Sequence, residues 1–196
     1  MILKNIKLKN KLTKLISADH LLDVFVFGST IRGSQKPNDL DILLLFTKKV
    51  DIKIELNVRN ILRVFYSNIS IVSKTEKTIL DPSFDARESI LFEATSLIDG
   101  ANLAEKYGFK SFGMFKYSFK DWNKLTKTKF YYALNGRSGK TGIFQNLDCI
   151  KLSDQIILVP LDKIELFRDF LKSWNLEHKY IPLLLPARLG RKKILE

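Results

Sequence analysis

The sequence predicts an α/β protein: a small mixed sheet with helices packed on it, followed by a basic α+β region. Two observations lead to this fold class. Short apolar runs alternate with segments of helical periodicity up to about residue 100, and most of the excess positive charge follows that point. We therefore predict a core domain over residues 1–100 and a second region over 101–196.

The elements of the first half follow from apolar spacing. Buried strands are predicted at "DVFVFG" (23–28), "DLDILLLF" (39–46) and "NISIVS" (68–73). Apolar side chains at helical spacing predict an opening helix before residue 17 and a second helix over 52–66. A further helix is predicted from Ala86 to Ile98, because Gly100 follows at the usual C-terminal position.

The second half has fewer clear signals. "QIILVP" (155–160) predicts a strand, and Pro160 is expected to open a helix. The final segment, "KYIPLLLPARLGRKKILE", is predicted to be a tail interrupted by Pro182 and Pro186. The stretch from Ala104 to Phe144 mixes aromatic residues, glycines and lysines without a single period, so its structure is left open.

Composition narrows the function classes. One cysteine, Cys149, excludes a disulfide framework and a cysteine-based zinc site, and two histidines are too few to indicate a histidine metal site. No apolar run approaches the roughly 20 residues that a membrane-spanning helix needs. We expect a cytoplasmic protein without a membrane partner.

The positive charge indicates a polyanionic partner. Residues 101–196 carry +9 of the net charge of +12, and neutralisation of phosphates drives binding to nucleic acids. A solvated basic face is the alternative. The interleaved aromatic residues serve either as core or as stacking platforms for bases. The candidate nucleic-acid contacts are Lys116, Lys120, Lys124, Lys127, Lys129, Arg137 and Lys140.

Asp39 and Asp41 are unusual within an apolar strand. Side chains at i and i+2 of a strand lie on one face, so the two carboxylates are expected to lie together. Burying them without a partner would be costly, and a divalent cation with a preference for oxygen ligands, such as Mg²⁺, resolves their repulsion. Upstream, the Gly28-Ser29 turn lets a phosphate approach the backbone. These are the elements that phosphoryl or nucleotidyl transfer requires.

Gly28-Ser29, nine intervening residues, and Asp39-Leu40-Asp41 before an apolar strand resemble the nucleotidyltransferase superfamily typified by DNA polymerase beta. The resemblance is closest to minimal, antitoxin-type members and covers about residues 10–100. It implies that Asp39 and Asp41 are catalytic and hold Mg²⁺ or Mn²⁺. It also implies that Gly28 and Ser29 bind the phosphates of an NTP such as ATP, with Arg32 and Lys36 as charge partners. We expect transfer to a hydroxyl of RNA or DNA, or alternatively of a protein.

One position departs from the family pattern. The resemblance implies a third carboxylate on the next strand, and the matching residue is Ser70. A serine is neither an anionic ligand nor an effective base. Asp81, Asp85 and Glu55 are candidate substitutes elsewhere in the sequence. The alternative function is therefore a non-catalytic protein of the same fold that binds nucleic acid or acts as an antitoxin.

Overall fold

The computed structural model describes residues 2–16, 20–33 and 39–190. The chain forms two compact units, Met1–Tyr107 and Gly108–Glu196. Each unit has its own four-stranded sheet, and the predicted α/β class with a mixed sheet in the first half is confirmed. No helix among the described residues is long and apolar enough to cross a membrane.

The first unit is a mixed sheet with strand order β3-β2-β1-β4. Strand β2 runs antiparallel to β1 and parallel to β3, and the short β4 pairs antiparallel with the other edge of β1. The strands are β1 (Leu21–Phe27), β2 (Leu40–Phe46), β3 (Ile69–Thr75) and β4 (Thr95–Ser96), and the helices are α1 (Ile6–Ile16), α2 (Ile52–Arg63), α3 (Arg87–Glu93) and α4 (Leu103–Lys106). Single 3-10 turns span Ile2–Lys4 and Gly28–Thr30.

Strands β1 and β2 form the centre of this unit because both are almost entirely apolar. Phe25 and Leu43 are essentially inaccessible and pack with Ile90 of α3 and Leu103 of α4. Helix α2 is amphipathic and buries Ile54, Val58 and Leu62. Its Asp51 cap accepts hydrogen bonds from the amides of Lys53 and Ile54, which fixes where the helix begins.

The predicted helix over 86–98 is too long. Helix α3 ends at Glu93, Ala94 is extended, and Thr95 and Ser96 pair with Val26 and Phe25 of β1. The open edge of β1 requires backbone partners. The Ser96 hydroxyl also donates to the buried Asp23 carboxylate at 2.8 Å. These tertiary hydrogen bonds outweigh the helical periodicity of the local sequence.

The second unit is an antiparallel sheet with strand order β10-β5-β9-β8. The predicted strand near 155–160 and the helix after Pro160 are both present, the helix after a 3-10 turn over Leu161–Lys163. The strands are β5 (Phe109–Tyr117), β6 (Gly136–Arg137), β7 (Lys140–Thr141), β8 (Ile150–Ser153), β9 (Ile156–Pro160) and β10 (His178–Pro186), and the helices are α5 (Lys124–Asn135), α6 (Ile143–Asn146) and α7 (Ile164–Ser173).

The prediction of an interrupted tail is wrong for residues 178–186. Strand β10 pairs with β5 along its whole length, with Pro182 opposite Gly113 and Pro186 opposite Phe109. It is an edge strand, and an edge strand tolerates proline because one row of its amides needs no partner in the sheet.

The aromatic residues of this unit are mainly core. Phe115, Tyr117 and Phe130 are at most 2% exposed, so the base-stacking interpretation is wrong for these three. The rings of Phe119, Trp122 and Trp174 lie within 5.5 Å of the Tyr117 or Phe130 ring. Tyr131 and Tyr132 remain exposed.

Candidate active site

The candidate active site lies at one edge of the first sheet. Because β2 is antiparallel to β1 and parallel to β3, the end of β1 and the beginnings of β2 and β3 meet there. Asp41 is the register partner of Phe27 on one side and of Ser70 on the other. The sheet therefore brings the Gly28-Ser29 turn and the aspartate pair to one place, although nine residues separate Ser29 from Asp39 along the chain.

The two aspartates have different environments. Asp39 is exposed just before β2, whereas Asp41 is half-buried within it. Burial, followed by the negative charges of Asp39 and Glu93, raises the pKa of Asp41, and the Arg32 guanidinium only partly offsets this effect. The charges of two further carboxylates and of one guanidinium thus act on Asp41. Such an excess of negative charge favours a cation at this position.

Gly28 is required by its backbone conformation and by its close neighbour. Its φ is +77°, where glycine has no steric penalty. A Cβ at this position would also clash with Oδ2 of Asp41. The Gly28 carbonyl accepts the amide of Ile31 at 3.1 Å, which closes the 3-10 turn that carries the half-buried Ser29. The turn and the carboxylate are therefore packed against each other.

Glu93 is the site residue that the sequence analysis missed. It is 3% exposed at the end of α3. Its Oε1 accepts the Gly28 amide at 2.9 Å, and its Oε2 accepts Nη1 of Arg32 at 2.6 Å. The sequence indicates this residue only by a charge between the apolar Phe92 and Ala94, and the structure shows that both neighbours are buried. Glu93 thus fixes both the turn and Arg32, the residue expected to contact phosphates.

Ser70 occupies the place expected for a third carboxylate. It is the direct register partner of Asp41, and its side chain is exposed. Two of the proposed substitutes have local partners instead. Glu55 accepts the Ser73 hydroxyl at 2.8 Å, and Asp81 accepts the Ser83 hydroxyl at 2.6 Å. The carboxylates whose charges act on Asp41 are Asp39 and Glu93.

The donor atoms at this edge of the sheet are carboxylate oxygens, the type of ligand that a hard divalent cation prefers. Asp39 and Asp41 offer carboxylate oxygens, and their mutual repulsion is the type of electrostatic penalty that Mg²⁺ relieves. No group of three metal-ligating side chains is placed to hold a metal anywhere in the described ranges. Two protein ligands leave several positions of a Mg²⁺ shell for substrate oxygens and water, which is the common arrangement at phosphate sites.

The candidate nucleic-acid contacts all lie in the second unit, and all are exposed. Lys124 and Lys127 of α5 line one cleft of about 510 Å³. Arg137 and Lys140 are register partners in the β6-β7 hairpin, and Lys116 lines a smaller cleft. Lys120 and Lys129 are exposed outside these groups. Lys36 lies outside the described residues.

Comparisons with known proteins give structural neighbours only. No family model and no curated protein matches the chain. It is similar to a mutant of the toxin–antitoxin MntA-HpeT (16% identity, TM-score 0.36) and to a toxin–antitoxin structure with AMP-PNP (19%, 0.36), each covering 50% of this chain and 78% of the other. It is also similar to a tri-AMPylated Shewanella oneidensis HEPN toxin in complex with MNT antitoxin, with 15% identity and a TM-score of 0.32. That match covers 52% of this chain and 76% of the other.

The names of these neighbours describe toxin–antitoxin proteins, one of them with an MNT antitoxin. Identities below 20% and TM-scores below 0.5 carry no argument for function. The geometry of the chain itself must therefore supply that argument.

Proposed function

We propose that the first unit transfers a nucleotidyl group from an NTP to a hydroxyl acceptor in a Mg²⁺-dependent reaction. The supporting observation is the sheet edge where the Gly28 turn packs against Asp41, beside Asp39 and Glu93. A glycine turn packed against paired carboxylates suits a metal-bound triphosphate.

Each residue has a distinct role in this proposal. Asp39 and Asp41 would hold Mg²⁺, which would neutralise charge on the triphosphate. Gly28 leaves room for the Asp41 carboxylate to pack against the turn, and Ser29 offers its amide and hydroxyl as donors to a phosphate. Arg32, oriented by Glu93, adds positive charge beside them. The acceptor oxygen forms a bond to the α-phosphorus while its hydroxyl proton passes to water, the α–β anhydride bond breaks, and pyrophosphate leaves.

The proposed acceptor is a nucleic acid bound by the second unit. Exposed Lys124, Lys127 and Lys129 lie on one helix and have no carboxylate within 4 Å in the part of the chain that the structure describes. Reversing all three charges should weaken RNA binding and reduce the slope of log K against log salt by about 2 or more. Lys172→Glu, at an exposed lysine of α7, is the matched control. Unchanged RNA affinity in the triple variant would leave a protein hydroxyl as the acceptor to test.

A transfer assay tests the activity directly. The protein is incubated with each α-labelled NTP, with Mg²⁺ or Mn²⁺, and with either total RNA or cell protein. We expect label on one acceptor class, and a loss of at least 100-fold in Asp39→Asn and in Asp41→Asn, since removing one charged group from such a site typically costs this much. Asp169→Asn, an exposed aspartate of α7, should leave the rate unchanged.

Ser70 supports a second candidate, a non-catalytic nucleotide-binding module of the same fold. The position beside Asp41 carries no charge, so both a ligand and a base are missing there. This candidate predicts no label on any acceptor, together with NTP binding that Asp41→Asn abolishes. A measurement of NTP binding distinguishes this candidate from a protein of the same fold that no longer has a nucleotide site.

A further inference from the structure

A cleft of about 320 Å³ begins where the phosphate turn ends. Thr30, the residue after Ser29, and Asp39 line one side, and residues 65–68, the loop between α2 and β3, line the other. The Leu40 amide donates to the Asn68 carbonyl at 3.0 Å, which holds this loop beside the start of β2. The cleft therefore includes Asp39 of the proposed metal pair and borders the Gly28–Thr30 turn at Thr30.

The lining of the cleft is aromatic and amide in character. Phe65 is 37% exposed and Tyr66 is half-buried, so both present ring surface to the cleft. Asn68 is exposed and carries both donors and an acceptor. The described lining includes no lysine or arginine, and Asp39 is its one charged group. The aromatic and amide groups of this lining suit a flat heterocycle.

Thr30 adds an independent observation. Its Oγ1 is buried and has no hydrogen-bond partner among the described residues. Buried hydroxyls without partners are rare in folded proteins, and each one calls for an explanation. Thr30 lines the cleft, and a rotation of its side chain toward the cleft would let a ligand there satisfy the hydroxyl.

We propose that this cleft binds the nucleoside part of the substrate NTP, with the base against Phe65 and Tyr66. The inference rests on the proposed function, because it places the triphosphate at the Gly28-Ser29 turn. The volume lies at the lower end of the range for small-ligand pockets, as expected for one base and its ribose. Asn68 would contact the edge of the base and contribute to the choice among NTPs.

Binding of the four NTPs and of inorganic triphosphate, each with Mg²⁺, tests the proposal by calorimetry. We expect Phe65→Ala to weaken the preferred NTP by about 10-fold, the typical contribution of one aromatic–base stack. The affinity for inorganic triphosphate should stay the same, because it has no base. Phe109→Ala, at a phenylalanine of the second unit with the same 37% exposure, is the matched control and should change neither affinity.

Thr30→Val separates a ligand contact from a structural role. Valine keeps the shape but removes a hydroxyl that has no described partner, so the unliganded protein should unfold at the same or a higher temperature. Its NTP affinity should nevertheless fall about 5-fold, with triphosphate affinity unchanged. A lower unfolding temperature with equal losses for both ligands would indicate a structural residue and would overturn the assignment of Thr30.

The remaining outcomes distinguish this inference from the proposed function. If neither triphosphate nor any NTP binds, the proposed function fails, and the inference fails with it. If triphosphate binds but Phe65→Ala leaves NTP affinity unchanged, the proposed function survives and the inference alone is wrong. A variant with normal NTP affinity but a raised KM for the acceptor would assign the cleft to the acceptor instead.

Discussion

Truncation of Glu93 should destabilise the protein far more than its position on a short helix suggests. Glu93→Ala removes the acceptor of the Gly28 amide and the partner of Arg32 together. A buried amide left without a partner costs about 1–3 kcal/mol. Loss of a fully buried ion pair costs about 3–5 kcal/mol, but the Arg32 side chain is 28% exposed and recovers part of its hydration. We expect a total loss of about 3 kcal/mol in the free energy of unfolding.

The conservative variant distinguishes the two contacts. In Glu93→Gln the single amide oxygen can accept from Gly28 or from Arg32 but not from both, so the loss should be about 1–2 kcal/mol. Urea unfolding measures both variants. Glu88→Ala is the matched control on the same helix, because its side chain is 83% exposed and its pair with Arg87 is long at 3.4 Å; its effect should stay within about 0.5 kcal/mol. Equal effects of Glu93→Ala and Glu88→Ala would refute the assigned role of Glu93.

Three further predictions concern the turn and the carboxylates. Gly28→Ala should cost about 2 kcal/mol or more and abolish triphosphate binding, whereas Gly108→Ala, with a similar φ of +79° but open space around it, should show only the backbone strain of about 1 kcal/mol. Asp41→Asn should raise the thermal stability of the metal-free protein at pH 7. Because the pKa of Asp41 is raised in the folded state, the protonated carboxyl favours folding at low pH, and this contribution to the free energy of unfolding is lost as the pH rises from 3.8 through the raised pKa. That difference should vanish below pH 3.8 in a thermal-melting series, and persistence there would contradict the electrostatic explanation. Ser70→Asp should lower metal-free stability, because it adds a carboxylate directly beside Asp41, and should increase Mn²⁺ affinity in a titration; reduced affinity would argue against a metal at this edge.

The strands and the aspartate pair could be predicted because their signals are local. Strands β1 and β2 are short apolar runs, and the i, i+2 spacing of Asp39 and Asp41 predicts that their carboxylates lie together; the Asp39 charge acts on Asp41. To predict which residue of β3 lies beside Asp41, it was enough to align β2 with β3. Its register partner in the parallel ladder is Ser70, the same residue that the sequence pattern selected.

The errors lie where tertiary contacts override local preference. Residues 94–96 continue the apolar period of α3, yet they leave the helix to pair with the edge of β1. Residues 178–186 contain two prolines, which normally argue against a strand, but an edge position removes that objection. In both segments the conformation is determined by pairing with a strand that is distant in the sequence, and the sequence alone does not reveal that this strand has a free edge.

Glu93 shows why the candidate site could not be completed from sequence. It lies 65 residues from Gly28 and 61 from Arg32, so no spacing rule connects it to either. A lone glutamate on a helix is usually solvent-exposed, and only burial against the turn reveals its role. Its position also bears on the missing third carboxylate. The negative charge that Ser70 does not supply next to Asp41 is partly restored by Glu93, which is itself paired with Arg32. If Asp39 and Asp41 hold a metal as proposed, metal binding and turnover are expected to respond separately to mutation, because the position beside Asp41 is Ser70, which is not a base.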